Sequence, residues 1–224
     1  MKKILLIFLA SLSAFSQTSN IFEPIDVFDL EYVSNPQISP SGDKVLYQRN
    51  FNDIMTDQSF SNIWLIDYDG NNNRPITTGN FKDNSPKWSN QGDKFLFKSN
   101  REGKSQIFLF DLNNNSIQKL TNFQYSIESI QWSPNDKYIL FSSFIDSERD
   151  TLIEMPDKPK GAKWNDPPVE ISDLNYRYDS SGFRKPGEVQ FFTIPVNGGT
   201  PRQISNIKPE KLSLIHISEP TRQV

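Results

Sequence analysis

The sequence predicts an all-β fold assembled from a repeated four-stranded unit, behind one N-terminal signal helix. Three observations carry this expectation. A segment recurs three times, 50 residues apart from Ser39 to Ser89 and 44 apart from Ser89 to Ser133. A second, hairpin-like segment follows each copy of the first. The residues between the apolar runs are Asn, Gly, Asp and Pro, which supply the backbone conformations of tight turns. Aromatic residues make up 12 % of the chain, with 17 Phe, a content that favours a packed β-rich domain over disorder.

The first segment covers 36–47, 86–97 and 130–141. Each copy is a short strand closing on Ser39, Ser89 or Ser133. A polar turn follows, then an Asp-Lys pair, so that Asp43, Asp93 and Asp136 read as turn acids. Apolar runs come next: Val45-Leu46-Tyr47, Phe95-Leu96-Phe97 and Ile139-Leu140-Phe141. Unbroken apolar strands are expected where both faces of a sheet are covered. The second segment pairs Ile63–Asp67 with Arg74–Thr77, Ile107–Asp111 with Gln118–Thr121, and Phe191–Val196 with Pro201–Ser205 across Asn- and Gly-rich turns. Two hairpins per repeat make a four-stranded blade, the unit of a β-propeller. The expected fold is a partial propeller of about three blades, near 36–77, 85–121 and 130–205, within a domain at 36–211. A Pro-rich, charged insert at 145–188 interrupts the third blade, with one strand at Leu174–Tyr178. A lead-in at 17–35 holds a helical turn near Val27–Tyr32.

Lys2 and Lys3, the apolar stretch Ile4–Leu12 and the small residues around Ala14-Phe15-Ser16 form a signal peptide at 1–16, with Gln17 the expected mature start. The apolar stretch is too short to span a bilayer, and no later run is long enough. Export makes the expected location secreted or periplasmic, with no membrane association after signal removal. Two lysines and no acid leave with the signal, taking the formal charge from −3 to −5. That balance gives no electrostatic reason to expect a nucleic-acid partner. The chain has no Cys, which excludes disulfides, zinc–thiolate sites and cysteine nucleophiles.

The stretch Met155-Pro156, Lys158-Pro159, Gly161-Ala162 and Trp164, then Asn175-Tyr176-Arg177-Tyr178-Asp179 and Gly182-Phe183, then Pro195 to Ile204, resembles the propeller of prolyl oligopeptidase-family serine peptidases. The acylaminoacyl-peptidase and secreted dipeptidyl-peptidase branch is the nearest in pattern, and the similarity runs from about Phe28 to Ser205. The resemblance implies a non-catalytic propeller of seven or eight blades that gates a C-terminal α/β-hydrolase domain, so that short peptides reach a Ser-Asp-His triad and folded proteins do not. Three blades are less than half such a propeller. No Gly-x-Ser-x-Gly elbow is present in these residues, so the resemblance transfers no catalytic residue. A second reading stays open: a periplasmic Tol-like propeller acting as a protein-binding scaffold, which shares the Ser-Pro-Asp-Gly-Lys style of repeat. Leu212–Arg222 resembles a translated sequencing adapter, so 212–224, with the single His216, is expected to be a non-native tail.

The sequence therefore offers no catalytic, cofactor-binding or metal-binding residue and implies no cofactor. Asp67-x-Asp69-Gly70-Asn71-x-Asn73 has calcium-loop character, but Asn72 and Thr78 stand where such a loop needs Gly and Glu, and a solvated hairpin turn is the better reading. Ser39, Ser89 and Ser133 recur as structural punctuation, and Trp88 and Trp132 as core residues. Arg177, Tyr178 and Asp179 are the residues that the resemblance brings nearest to a substrate, but nothing in the sequence fixes the loop's direction, and a blade-edge packing role is the better reading.

Overall fold

Each repeat folds into one antiparallel sheet in a computed structural model that describes residues 22–147, 156–165, 176–179 and 182–206. The signal segment, Gln17 and the 212–224 tail lie outside the described residues. A short 3-10 helix, Pro24–Phe28, leads in. It sits closer to the N-terminus than the turn expected at Val27–Tyr32. Pro24 presets the first turn, and the Glu23 N–H donates to Asp26 at 2.9 Å, while Tyr32 already begins the first strand.

The first sheet holds β1 (Tyr32–Ile38), β2 (Lys44–Asp53), β3 (Gln58–Asp67) and β4 (Arg74–Pro75). The second holds β5 (Asn84–Trp88), β6 (Lys94–Ser99), β7 (Gln106–Asp111) and β8 (Ser116–Lys119). Strands β9 (Ile127–Trp132) and β10 (Tyr138–Asp146) begin the third sheet. Then β11 (Arg177–Tyr178) and β12 (Gly182–Phe183) pair only with each other, and β13 (Gly187–Pro195) and β14 (Arg202–Gln203) complete the third sheet. The strand expected at Leu174–Tyr178 is seen as Arg177–Tyr178; Leu174 and Asn175 lie outside the described residues. The insert re-enters the sheet through Gly187, whose φ is +148° and where a Cβ would stand 2.3 Å from the Ile145 carbonyl oxygen. Only glycine fits there.

Side-chain alternation builds two cores. On β6 and β7, Phe95, Phe97, Phe108 and Phe110 point one way and join Leu46, Ile63 and Leu65 of the first sheet. Leu96, Ile107 and Leu109 point the other way and join Ile130, Trp132, Ile139, Phe141, Phe192 and Ile194 of the third. The second sheet is covered on both faces, and Gln106 to Phe110 of β7 are all buried. In β2 and β13 buried residues instead alternate with half-buried or exposed ones, as expected for strands with one covered face.

Two hydrogen bonds repeat with the units. Indole Nε1 of Trp88 donates to the Gln37 carbonyl, and that of Trp132 to the Lys87 carbonyl, each at 2.9 Å. Each Trp thus ties its inner strand to the preceding inner strand while its ring packs in or against a core. Within a sheet, the hydroxyl after the fourth strand accepts an N–H from the third. Thr77 takes that of Ile63 at 2.9 Å, Thr121 that of Ile107 at 2.9 Å and Ser205 that of Phe191 at 2.7 Å. The recurring Ile-Thr, Leu-Thr and Ile-Ser pairs hold the short outer strands, which contribute few ladder bonds of their own.

Candidate functional site

The antiparallel topology sorts the loops onto two ends. One end carries the turns 39–44, 89–94 and 133–138. The other carries the β2–β3 and β6–β7 loops and the insert.

At the first end, the recurring Ser organises its turn. Ser39 N–H donates to the Lys44 carbonyl, Ser89 N–H to that of Lys94 and Ser133 N–H to that of Tyr138, at 2.8 to 2.9 Å. Ser39 and Ser89 hydroxyls donate to Asp43 and Asp93 at 2.9 and 3.0 Å. These serines are occupied by turn bonds, as the structural reading expected. Asp43 is held well below its ordinary 3.8 by the Ser41 hydroxyl first, then by Lys44 and Ser39. Asp93 is lowered chiefly by the Lys94 ammonium, with burial opposing. Lys44 and Lys94 are raised by the same contacts, and each also faces a second acid, Asp67 at 3.8 Å and Asp111 at 3.9 Å.

The third turn departs from this plan, and Asp136 is not the counterpart of Asp43 and Asp93. The Ser-to-carbonyl bonds align Lys137 with Asp43 and Asp93, and Tyr138 with Lys44 and Lys94. Asp136 then takes the place of Gly42 and Gly92, and its φ of +53° matches their +77° and +75°; aspartate is among the few residues that accept this region. The cross-strand partner changes in step. Lys44 pairs with Asp67 and Lys94 with Asp111, but Tyr138 pairs with Pro195. An acid–lysine–acid cluster has become an apolar contact.

The joint between turns changes too. Between the first two sheets Pro40 packs on Gly92, where a Cβ would lie 3.2 Å from the Pro40 ring. Between the second and third, Asn90 replaces the proline and Asp136 the glycine. Asp136 accepts the Asn90 N–H at 3.0 Å, the Asn90 side-chain amide at 2.6 Å and the Gln91 N–H at 3.2 Å. A cleft of about 500 Å³ opens beside this joint, with Trp132 and Leu109 against it and Asp93, Asp111 and Lys137 at its rim. Those charges are already paired or spread, so the cleft presents no convergent chemistry.

The Asp67–Asn73 segment is a hairpin turn. Its carboxylates are engaged locally: Asp67 accepts from Asn72 at 2.6 Å, and Asp69 from the Asn71 N–H and side chain at 3.0 and 2.8 Å.

At the second end the dominant feature is one the sequence reading missed. Asp83 is fully buried and takes both oxygens to Arg101 Nη2, at 3.0 and 2.9 Å. The guanidinium lies 4.9 Å from the Phe108 ring centre, 5.5 Å from Phe81 and 5.6 Å from Phe97. The ion pair locks the β6–β7 loop to the strand entering the second sheet. Nearby, burial pushes the Lys98 ammonium below its ordinary value, and its Nζ donates to the Glu128 carbonyl of the next sheet.

The insert presents a separate surface here. Arg177, Tyr178 and Asp179 lie on the β11–β12 hairpin with all three side chains exposed. Tyr176 and Phe183 flank them, 6.4 Å apart between ring centres, and are 47 % and 52 % exposed. The described part of this hairpin is an exposed surface that carries aromatic and charged side chains. Tyr178 itself is 54 % exposed.

Stacked four-stranded sheets with short outer strands define the blades of a β-propeller. Residues 25–158 match the TolB beta propeller domain, and the chain belongs to that family. Its curated relatives are peptidases. It is 34 % identical over 166 residues to Dipeptidyl-peptidase 5 of Porphyromonas gingivalis, covering 74 % of this chain and 24 % of that one. It is 25 % identical over 186 residues to the uncharacterized peptidase YuxL of Bacillus subtilis, covering 83 % and 28 %. The chain thus spans about a quarter of the length of these relatives. Among solved structures, Pyrococcus horikoshii acylaminoacyl peptidase shares the fold with a TM-score of 0.57 and 20 % identity, over 79 % of this chain and 25 % of that one.

Proposed function

We propose that this chain is the non-catalytic, substrate-gating propeller portion of a secreted serine peptidase that cleaves short peptides. The 34 % identity to a dipeptidyl-peptidase carries the reading. In this reading residues 1–16 direct export and are removed, 17–35 lead in, and 36–211 form the propeller portion. Its partner is an α/β-hydrolase domain of the same full-length protein, which supplies the nucleophile, base and acid. Among the described residues no helix is long and apolar enough to cross a membrane.

The 224-residue chain alone is expected to hydrolyse no aminoacyl or acyl-peptide chromogenic substrate. The full-length protein is expected to do so, and a serine-directed inhibitor to stop it. Turnover by the short chain that survives further purification and responds to such an inhibitor would sink the gating reading. The family match to the TolB propeller favours a second reading, a protein-binding scaffold of the periplasm. A full-length protein that hydrolyses nothing yet holds an envelope protein would establish that reading instead.

A further inference from the structure

The cleft beside the Asn90–Asp136 joint keeps its rim charges occupied with one another, and what it leaves unoccupied is neutral. Its first wall is one face of the β7–β8 hairpin. Cross-strand pairing sets Leu109 beside Gln118 and Asp111 beside Ser116, and these four side chains share that face. Its second wall is the turn end of the third sheet, with Asn135, Lys137, Val196 and Asn197. Both walls belong to the joint between the second and third sheets, away from the outer faces of the first and third.

The floor is apolar. Leu109 is part of the core between these two sheets, and Val196 packs against it. The Leu112 N–H donates to the Asp93 carbonyl and the Val196 N–H to the Lys137 carbonyl, each at 3.0 Å, so the two residues hold equivalent places in successive sheets. Leu112 packs against the core of the first joint. Val196 is one carbon shorter, and it lines a cleft of about 500 Å³. Small-molecule sites typically measure about 300–1,000 Å³.

The free groups set the chemistry. Among the described residues the side-chain amides of Gln118 and Asn197 and the hydroxyl of Ser116 make no hydrogen bond. The Asn135 side-chain oxygen accepts from the Ser133 hydroxyl and the Lys137 N–H at 2.8 and 3.1 Å, which leaves its amino group free to donate. Amides and hydroxyls offer both donors and acceptors. The charged lining consists of the carboxylates Asp93, Asp111 and Asp136 and the ammoniums Lys94 and Lys137. An anion would face the first set and a cation the second, so the cleft favours a neutral ligand. A sugar hydroxyl donates and accepts at one atom, which suits donors and acceptors interleaved on two walls. The C–H face of a pyranose ring suits the apolar floor. An extended peptide wants separate pockets for alternate side chains, and this cleft has a single floor.

We propose that the cleft between the second and third sheets binds a neutral mono- or disaccharide, held by the amides of Gln118, Asn135 and Asn197 and the Ser116 hydroxyl over Leu109 and Val196. Such a site is compatible with either reading of the full-length protein, because it uses neither a hydrolase domain nor a protein partner.

The isotope-labelled full chain, titrated with glucose, N-acetylglucosamine and maltose, is expected to show saturable shifts of the Gln118, Asn135 and Asn197 side-chain amide signals with at least one of these sugars. Glucuronate, glucosamine and acetyl-dialanine amide are expected to bind more weakly than that sugar. Gln118→Ala and Asn197→Ala should each weaken its binding by about threefold to tenfold, the worth of one hydrogen bond, at an unchanged melting temperature. Both residues are exposed, so neither substitution disturbs a core. Val196→Leu, which copies the residue of the first joint, should weaken binding as well. No saturable shift with any of the three sugars would overturn the proposal. So would tighter binding of a charged analogue or of the peptide, or binding that either alanine variant leaves unchanged.

Discussion

Arg101 and Asp83 set the balance of charge in the fold at the level of single residues. Asp83 is fully buried, and among the described residues its one countercharge within ion-pair distance is the Arg101 guanidinium. Removing one member of such a pair strands the other charge in a poor solvent, typically at about 3–5 kcal/mol. Arg101→Ala is expected to lower stability by that amount in urea unfolding. Arg101→Lys should recover only part of it, because an ammonium neither engages both carboxylate oxygens in plane nor stacks on Phe108. Pairing Arg101→Leu with Asp83→Asn should recover most of it, since no charge remains buried. A loss below about 0.5 kcal/mol for Arg101→Ala would show that the pair is open in solution. Nothing in the sequence pointed to this pair. The two residues lie 18 positions apart, in connections outside both repeated segments, and only the folded second sheet brings them together.

The repeated turn is the element where sequence reading was most nearly complete, and its one error is instructive. Serine, the turn residues and the apolar runs placed the hairpins correctly. Asp136 was misplaced because the dipeptide Asp-Lys was matched by identity, when backbone position decides. Ser133 to Ile139 spans the same number of residues as Ser89 to Phe95, and counting from the serine reveals the register. The joint then predicts coupled substitutions. Asn90→Pro removes two of the three donors that Asp136 accepts, and Asp136→Gly removes the acceptor. Each alone is expected to lower stability by about 1–2 kcal/mol. The double variant recreates the Pro40–Gly92 joint, so its loss should fall at least about 1 kcal/mol short of the sum. Strict additivity in a double-mutant cycle would rule out the joint as described.

Acid sensitivity belongs to the same element. Asp93 has a folded-state pKa below its ordinary 3.8. Its contribution is therefore present above pH 3.8 and is lost as pH falls through the lowered value. Asp93→Asn should melt about 2 °C below the parent at neutral pH, and the gap should close on acidification beneath that value. Lys94, raised above 10.5, gives the opposite limb: its contribution is complete below pH 10.5 and fades as pH rises through the raised value. A melting gap for Asp93→Asn that is constant from pH 7 to pH 2 would contradict both the pairing and its sign.

Across the whole molecule, protection should peak in the middle. Among the described residues the second sheet alone has cores on both faces, so amides of β6 and β7 are expected to exchange more slowly than those of β1 or β14 by about tenfold or more. Uniform exchange across the three sheets would mean that the stack unfolds as one unit with no weaker edge. The all-β class, the three four-stranded sheets and the interrupting insert were legible because hydrophobic runs and turn residues repeat. The pairing of β11 with β12 was not, because these residues follow no repeat.

The paired turns bear on how such chains are inherited. Complementarity at each joint is shared between two neighbouring sheets, so Asn90 is meaningful only beside Asp136, and Pro40 only beside Gly92. A duplication or exchange with its boundary between sheets would separate those partners and mismatch the joint at either edge of the transplanted piece. A breakpoint inside a sheet, in the β2–β3 or β6–β7 loop, divides the same pairs, because the two partners of a joint sit on the first hairpins of successive sheets. A joint travels whole only in a piece that carries two successive first hairpins, such as Tyr32–Ser99 with both Pro40 and Gly92, so recombinants that keep both partners of each joint should fold where single-blade exchanges fail.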